Sequence, residues 1–367
     1  MVASQPAEGD ESERYVEKVQ VLEALVEALK RAPLDGAATA LLVDTYERHP
    51  EARLELWEVA THQVLAAFEP LAERALASGD PGEVSCACEF ARALAPGASF
   101  RKRFGPSVRQ RLERDPKMYR SPWELARVLT FLALEDPVAT APIVADLLRD
   151  IYQYDEDTRR GRPATLIWRG NDVLQHLGFG IGHAEIMAQG FVAPAAEVAP
   201  LLPVECRLGL LDLSLDGLSE KQKEEVRRIL RECSPVAIDE KLSRIADPWR
   251  QVTSLAIVAP LGSSPIRVAL LKQHLVSALT HPGIDSHLVP VISMFWSEEV
   301  ANALVLAILG APFDPPWMPP DVLEVAMKQT TPELADKVVR PRVGHAKTEH
   351  GNQLLARWAE VSIEVRS

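Results

Sequence analysis

The feature that most constrains the fold is a short polar residue followed by proline, which recurs along the chain. An Asp, Ser or Thr side chain can accept a hydrogen bond from the free amides of a first helical turn. Proline suits the first helical position, because its missing N–H would have no partner there. The pair occurs at Asp80-Pro81, Ser121-Pro122, Asp136-Pro137, Ser234-Pro235, Asp247-Pro248, Ser264-Pro265 and Thr331-Pro332. So many independent helix starts predict an all-α fold.

The spacing of polar and apolar residues supports the same prediction. Capping-box spacing, with an acid or amide three residues after the cap, occurs at Asp80 and Glu83, Ser121 and Glu124, Ser219 and Gln222, and Asp321 and Glu324. Apolar stripes at helical period run through 51–78 (Leu54, Trp57, Val64, Phe68, Leu71, Ala75) and 219–233 (Val226, Ile229, Leu230, Cys233). Segment 210–216 alternates apolar and polar residues and fits a strand or a helix; we favour a helix, since a lone strand has no visible partner.

Two segments predict how these helices are arranged. Residues 252–261 and 300–309 are apolar nearly all round, which indicates burial between neighbours on more than one side. Segment 247–279 opens with Asp-Pro, has an arginine early in a helix and continues with small and leucine positions. In these features it resembles a HEAT-type helix pair. We expect stacked antiparallel helix pairs, either as an α-solenoid of HEAT or armadillo type or as a compact multi-helix superdomain.

Composition shifts divide the chain into five parts. Residues 1–13 are acidic, polar and aperiodic, and we predict that they are disordered. We expect an N-terminal helical lobe over 14–154 and a C-terminal helical lobe over 163–310, separated by the charged stretch around 155–163. The prolines of 311–320 predict an extended connector, and 321–367 holds terminal helices with a basic segment.

Charge and cysteine content limit the compartment and the partners. The formal net charge of −12 argues against broad binding of nucleic acid or anionic membranes, since both need a concentrated basic face. No stretch reaches the roughly 18 uninterrupted apolar residues of a membrane span. Four cysteines in a chain of 367 residues do not form a disulfide framework, and the acidic N-terminus lacks the pattern of a signal peptide. We expect a cytoplasmic protein.

The glycine-rich stretch LQHLGFGIGHAE, residues 174–185, is the first candidate site. A phosphate-binding loop follows a strand, whereas these glycines follow a segment of helical pattern, and no Walker lysine comes after them. Asp172 and His176 are four residues apart and share a helix face, so they could bind one metal ion with His183 or Glu185 as a third ligand. The plainer interpretation is a junction of two closely packed helices with Gly178 as the helix cap.

Two surfaces are candidates for contact with a partner. Trp168, Arg169, Asn171 and Asp172 bring an aromatic ring together with arginine and polar groups, as binding hot spots do. His176, His183 and Glu185 extend this surface across the predicted helix junction. Arg340, Arg342 and Lys347 make the segment 337–350 basic within an acidic chain.

Further metal sites have little support. Cys86 and Cys88 are two residues apart and point to opposite sides of a helix, so buried thiols are the expected alternative. His281, Asp285 and His287 could surround a metal ion in a loop, but a solvated turn between helices is the default interpretation. We expect no bound metal and no cofactor.

These observations predict a non-catalytic helical scaffold or adaptor that acts through protein–protein contacts. We expect the partner to be another protein and not a membrane. The net charge disfavours nucleic acid, but the basic segment 337–350 leaves a contact with an acidic partner or with phosphate open. No common catalytic motif occurs in the sequence. The alternative is an all-α enzyme or ligand-binding protein with a metal or small anion near residues 168–185, and the sequence leaves this alternative open.

Overall fold

The computed structural model describes residues 36–49, 65–92, 98–115, 121–162, 184–213, 217–279, 285–310, 331–344 and 349–364, with 24, 27, 28, 31, 119, 215 and 327 as single residues. Within these ranges every regular element is helical and there is no strand. The all-α prediction is therefore confirmed for this part of the chain. No helix found there has the length and apolar character needed to cross a membrane.

Fifteen α-helices longer than a single turn lie in the described residues. The first six are α1 Gly36–Arg48, α2 Leu65–Ser78, α3 Pro81–Ala91, α4 Ser99–Arg114, α5 Pro122–Glu135 and α6 Pro137–Arg159. The next six are α7 Ala184–Glu197, α8 Val204–Gly209, α9 Glu220–Arg231, α10 Pro235–Arg244, α11 Pro248–Val258 and α12 Pro265–Leu279. The last three are α13 Asp285–Met294, α14 Glu298–Gly310 and α15 Glu349–Glu364.

Shorter helical segments fill some of the connections. Three-residue 3₁₀ turns lie at Ala199–Leu201, Leu210–Asp212, Ala259–Leu261 and Arg340–Arg342. A single α-helical turn at Pro332–Leu334 leads into a π-helical turn at Ala335–Val339.

The polar-proline pairs start helices as predicted, because a helix begins at the proline in all seven cases. The Asp80 side chain accepts a hydrogen bond from the Glu83 N–H at 2.9 Å, at the start of α3. Ser219 forms the complete capping box with Gln222 at the start of α9. The predicted box at Asp321 lies outside the described residues. Each cap satisfies an amide that the helix itself leaves unpaired.

Backbone proximity divides the described residues into two compact units. The first unit holds the described residues up to Asp150 together with 193–201. The second unit holds 151–162, 184–192 and the described residues from Leu202 onward. The lobes predicted over 14–154 and 163–310 stay a prediction, and the segments 1–13 and 311–320 lie outside the described residues.

In the first unit, α2 to α5 pack around an aromatic centre. Helix α3 contacts α2 and α5, and α4 contacts the same two helices. The ring of Phe104 stacks on that of Phe100 and meets that of Phe131 edge-on, both with centroids 5.5 Å apart. All three rings are buried. The three rings join α4 to α5, within a core whose other buried residues are mostly Leu, Val, Ile and Ala.

In the second unit, alternate helices contact one another. Helices α8, α10, α12 and α14 form one series of contacts, and α9, α11 and α13 form the other. Contacts between α10 and α11, α11 and α12, and α12 and α13 join the two series. The predicted apolar stripe of α9 is confirmed, since Val226, Ile229, Leu230 and Cys233 are all buried.

The segment around 210–216 is helical over Leu210–Asp212, and the other described residues, Leu213 and Leu215, lie in neither a helix nor a strand. Helix α8 passes directly into the 3₁₀ turn Leu210–Asp212, and Leu211 and Leu215 are buried. Gly209 allows a close approach there, because a Cβ atom on it would lie 2.3 Å from the ring of Tyr152. The Tyr152 hydroxyl donates a hydrogen bond to the Cys206 carbonyl at 2.8 Å, which holds that ring against the helix.

Candidate functional site

The central surface predicted from the sequence lies almost wholly outside the described residues. This applies to Trp168, Arg169, Asn171, Asp172, His176 and His183. Glu185 lies in the first turn of α7, and only its backbone is described. The metal, partner-surface and helix-junction interpretations of this stretch all stay predictions.

The basic C-terminal surface is described only in part. Arg340 is exposed and forms an ion pair with Asp336 at 2.8 Å, one helical turn earlier. Arg342 ends the same 3₁₀ turn and its side chain is not described, and Lys347 lies outside the described residues. The pairing of Arg340 with Asp336 reduces the charge that this surface offers a partner.

The cysteines are free thiols in this structure. Cys88, Cys206 and Cys233 are buried, and Cys86 is partly buried. Burial raises the pKa of the Cys86 and Cys88 thiols, and the nearby guanidinium of Arg127 opposes this effect only at Cys86. Among the described residues, no three or more His, Cys, Asp or Glu side chains come together in a group that could hold a metal ion.

Among the described helices, α4 carries the strongest concentration of positive charge. Its 16 residues SFRKRFGPSVRQRLER contain six Arg or Lys residues and one Glu, in a chain whose net charge is −12. Arg101 turns inward and pairs with Glu135 of α5. Four exposed residues at spacings of four, three and four follow one face of the helix. We call Arg103, Ser107, Gln110 and Arg114 the donor row.

Three members of the donor row, Ser107, Gln110 and Arg114, line one side of an open groove with a volume of about 780 Å³, which we call the α4 groove. Arg111 and Asp115 line it as well. The other side is formed by the C-terminal turn of α2 and the turn that leads to α3, and it includes Leu76, Ala77, Gly79 and Pro81. One wall of the groove is therefore polar and rich in donors, and the facing wall is mostly apolar.

Arg111 is held in place at the base of this groove. Its Nη2 donates a hydrogen bond to the Leu76 carbonyl, one of the C-terminal carbonyls of α2 that lack a partner within the helix. Gly79, with a φ of 75°, brings the turn close, since a Cβ there would lie 3.6 Å from the Arg111 Nη1. A guanidinium has five N–H donors, so a ligand in the groove can use those that do not face Leu76.

The charges around the α4 groove are unevenly neutralised. Arg103 pairs with Glu73 of α2 at 2.8 Å, which also fixes α2 and α4 side by side. Arg114 is exposed and forms no ion pair with the described residues. Among the residues that line the groove, two arginines (Arg111 and Arg114) stand against two acids (Glu73 and Asp115), and Glu73 is itself paired with Arg103. Such a groove can bind carboxylate or phosphoryl oxygens through charge-assisted hydrogen bonds.

A second polar cluster, in the second unit, is satisfied internally. Arg250 donates hydrogen bonds to the Asp155 carboxylate at 3.1 Å and to the Asp212 carbonyl at 2.6 Å. Arg159 also contacts Asp155, and Lys241 contacts the Asp212 carboxylate. These pairs join α6 to α10 and α11. Since every charge here meets an opposite charge, the cluster offers no unpaired charge to a ligand.

The sequence predictions did not include the α4 groove. They placed basic character at 337–350, where acidic residues dilute it, and left 99–114 without a role. The signal was present, because six basic residues and one acidic residue in 16 stand out against a net charge of −12. The apolar wall facing α4 could not be predicted in the same way, because its residues (Leu76, Ala77, Gly79 and Pro81) are distant in sequence from those of α4 that line the groove. Comparisons with protein-family models, curated proteins and solved structures found no match to this chain.

Proposed function

We propose that this chain is a non-catalytic helical scaffold or adaptor that binds another protein through the α4 groove. The single observation that carries the proposal is the donor row, because three of its four exposed polar side chains line a groove whose facing wall is mostly apolar. Arginine next to apolar surface is a common arrangement at protein-binding hot spots. Arg111 adds a guanidinium that the fold already holds, so binding does not have to order it.

The arrangement of helices in the second unit supports a scaffold role. The alternating contacts of α8, α10, α12 and α14, and of α9, α11 and α13, are those expected of stacked antiparallel helix pairs. We therefore propose an α-solenoid arrangement of HEAT or armadillo type for this unit. Stacked pairs expose much surface for each residue and commonly serve as binding platforms.

A reducing compartment such as the cytoplasm fits the cysteine content. All four cysteines are free, and three of them are buried thiols. Disulfides are rare in the cytoplasm, so four free thiols fit that compartment.

The test is direct binding to a purified partner. The full chain carrying an affinity tag is cross-linked in its source organism, the captured proteins are identified, and each is purified and titrated against the chain. We expect at least one protein to bind the purified chain with a defined stoichiometry. If no captured protein binds the purified chain directly, the scaffold proposal is wrong.

A further inference from the structure

We infer that the α4 groove takes an extended, acidic segment of the partner protein, with its carboxylates on Arg111 and Arg114; this rests on the proposed function. Arg111 and Arg114 lie three residues apart in the last turns of α4, and both line the groove. An arginine can bind a carboxylate through two parallel N–H···O bonds, which sets orientation as well as strength. The two arginines define where the acidic residues of the segment lie.

The part of α4 that lines the groove sets the length of the bound segment. Ser107 and Arg114 are seven positions apart, which corresponds to about 10 Å at the helical rise of about 1.5 Å per residue. An extended chain advances about 3.3 Å per residue, so about three residues of a partner span this distance. Gln110 carries both amide donors and a carbonyl acceptor, and Ser107 carries a hydroxyl, so both can satisfy the backbone of such a segment.

The two walls of the groove predict the pattern of the segment. Side chains of an extended chain point alternately to opposite sides. Acidic residues directed at the α4 wall would therefore alternate with residues directed at Leu76, Ala77 and Pro81. Those three positions are apolar, so the alternate residues are small or apolar. The inferred ligand is a short segment in which Asp or Glu alternates with apolar residues.

Isolated carboxylates suit this groove better than the phosphates of a nucleic acid. Glu73 and Asp115 stand at the groove and the rest of the chain is acidic. A nucleic acid carries a charge at every phosphate, and its binding depends on a continuous basic track. A peptide with a few carboxylates can place them on the arginines and keep its other residues neutral.

The experiment titrates the full chain into fluorescein-labelled seven-residue peptides and follows fluorescence anisotropy. The probe alternates glutamate with valine, and the comparison peptide has glutamine in place of every glutamate. We expect saturable binding of the glutamate peptide that weakens as salt rises, and at least tenfold weaker binding of the glutamine peptide. Equal binding of the two peptides, or no binding of the glutamate peptide at low salt, would overturn the inference.

A matched pair of variants separates the groove from general electrostatics. Arg114→Gln and Lys102→Gln remove the same charge from exposed positions of the same helix, but Lys102 lies outside the donor row. We expect the first to weaken glutamate-peptide binding roughly fivefold or more and the second less than twofold. Equal effects of both variants would show attraction to the basic helix as a whole and would reject the groove. Tighter binding of a single-stranded RNA of seven nucleotides, lost in both variants alike, would reject the peptide in favour of a nucleic acid.

The same variants distinguish a failure of this inference from a failure of the proposed function. A partner that binds the wild-type chain and the Arg114→Gln variant equally well leaves the scaffold function standing and refutes the groove as its site. Absence of any directly binding partner refutes the scaffold function, even where the glutamate peptide binds.

Discussion

The buried ion pair between Arg267 and Asp239 makes the sharpest stability prediction. Asp239 lies in α10 and Arg267 in α12, and the Arg267 Nε donates a hydrogen bond to the Asp239 Oδ1 at 2.6 Å. Both side chains are buried, with 3% and 8% of their surface exposed. The Arg267 Nη1 also donates to the Gly262 carbonyl at 2.6 Å. Removing Asp239 leaves a buried guanidinium whose charge has lost its counter-ion.

The Asp239→Ala variant is expected to lose about 3–5 kcal/mol of unfolding free energy, the range for breaking a buried pair by removing one partner. Its neighbour provides a matched control. Glu240 pairs with Arg244 at 3.5 Å on the same helix, and the two side chains are 58% and 76% exposed. Glu240→Ala is expected to cost at most about 0.5 kcal/mol, since solvent screens exposed pairs.

Two measurements check this prediction. Urea unfolding followed by circular dichroism gives the change in unfolding free energy. Hydrogen exchange followed by mass spectrometry shows whether the loss is local, and we expect faster exchange first in Pro235–Arg244 and Pro265–Leu279. If the losses of unfolding free energy in the two variants differ by less than about 1 kcal/mol, the reasoning that burial makes the ion pair important for stability is wrong.

Three further predictions test packing and protonation. Gly209→Ala is expected to cost about 3 kcal/mol or more in urea unfolding, because the new Cβ would meet the Tyr152 ring, whereas Gly36→Ala, which has no neighbour within 4 Å, should be neutral or stabilising. Burial lowers the pKa of His274 below its ordinary 6.5, so its contribution to stability is complete above pH 6.5 and is lost as the pH falls through the lowered value. A His274→Gln variant should show a shallower loss of urea midpoint between about pH 7.5 and pH 5, and an unchanged slope would contradict this assignment. Burial, with the Asp146 charge as a second cause, raises the pKa of Asp150 from 3.8 to about 6, so the fold favours its protonated form and loses stability as the pH rises through that window. At neutral pH, Asp150→Asn should therefore raise the unfolding free energy by about 1 kcal/mol after allowance for its partial exposure, and a lowered melting temperature would refute this.

The surroundings of His274 also determine which ring nitrogen carries the proton in its neutral form. The Gln251 side-chain nitrogen donates a hydrogen bond to the Leu242 carbonyl at 2.7 Å, so its oxygen faces the His274 Nε2. The Nε2 therefore carries the proton in the neutral ring and donates it to Gln251. Protonation of Nδ1 would place a charge in a buried site, which is why stability falls in acid.

The sequence alone determined the helices and where many of them begin. The reason is that a cap is a local interaction: Ser121 accepts a hydrogen bond from the Glu124 N–H three residues later, at 3.2 Å, and Ser219 with Gln222 does the same. The buried face of α9 could be predicted for a similar reason, since helical period alone places its apolar residues together. Both features depend on residues within a few turns of one another.

Only the tertiary structure decided which distant residues meet. The ring of Tyr152 fits against Gly209, and the α4 groove forms where residues 73–81 face residues 107–115. The basic composition of α4 was visible in the sequence, but its apolar wall and the fixed position of Arg111 were not. Such contacts depend on how whole helices pack, and the same helical pattern is compatible with many packings because apolar stripes specify burial and not the partner. Local hydrogen bonding therefore determined the elements of this protein, and side-chain packing between distant segments determined its candidate site.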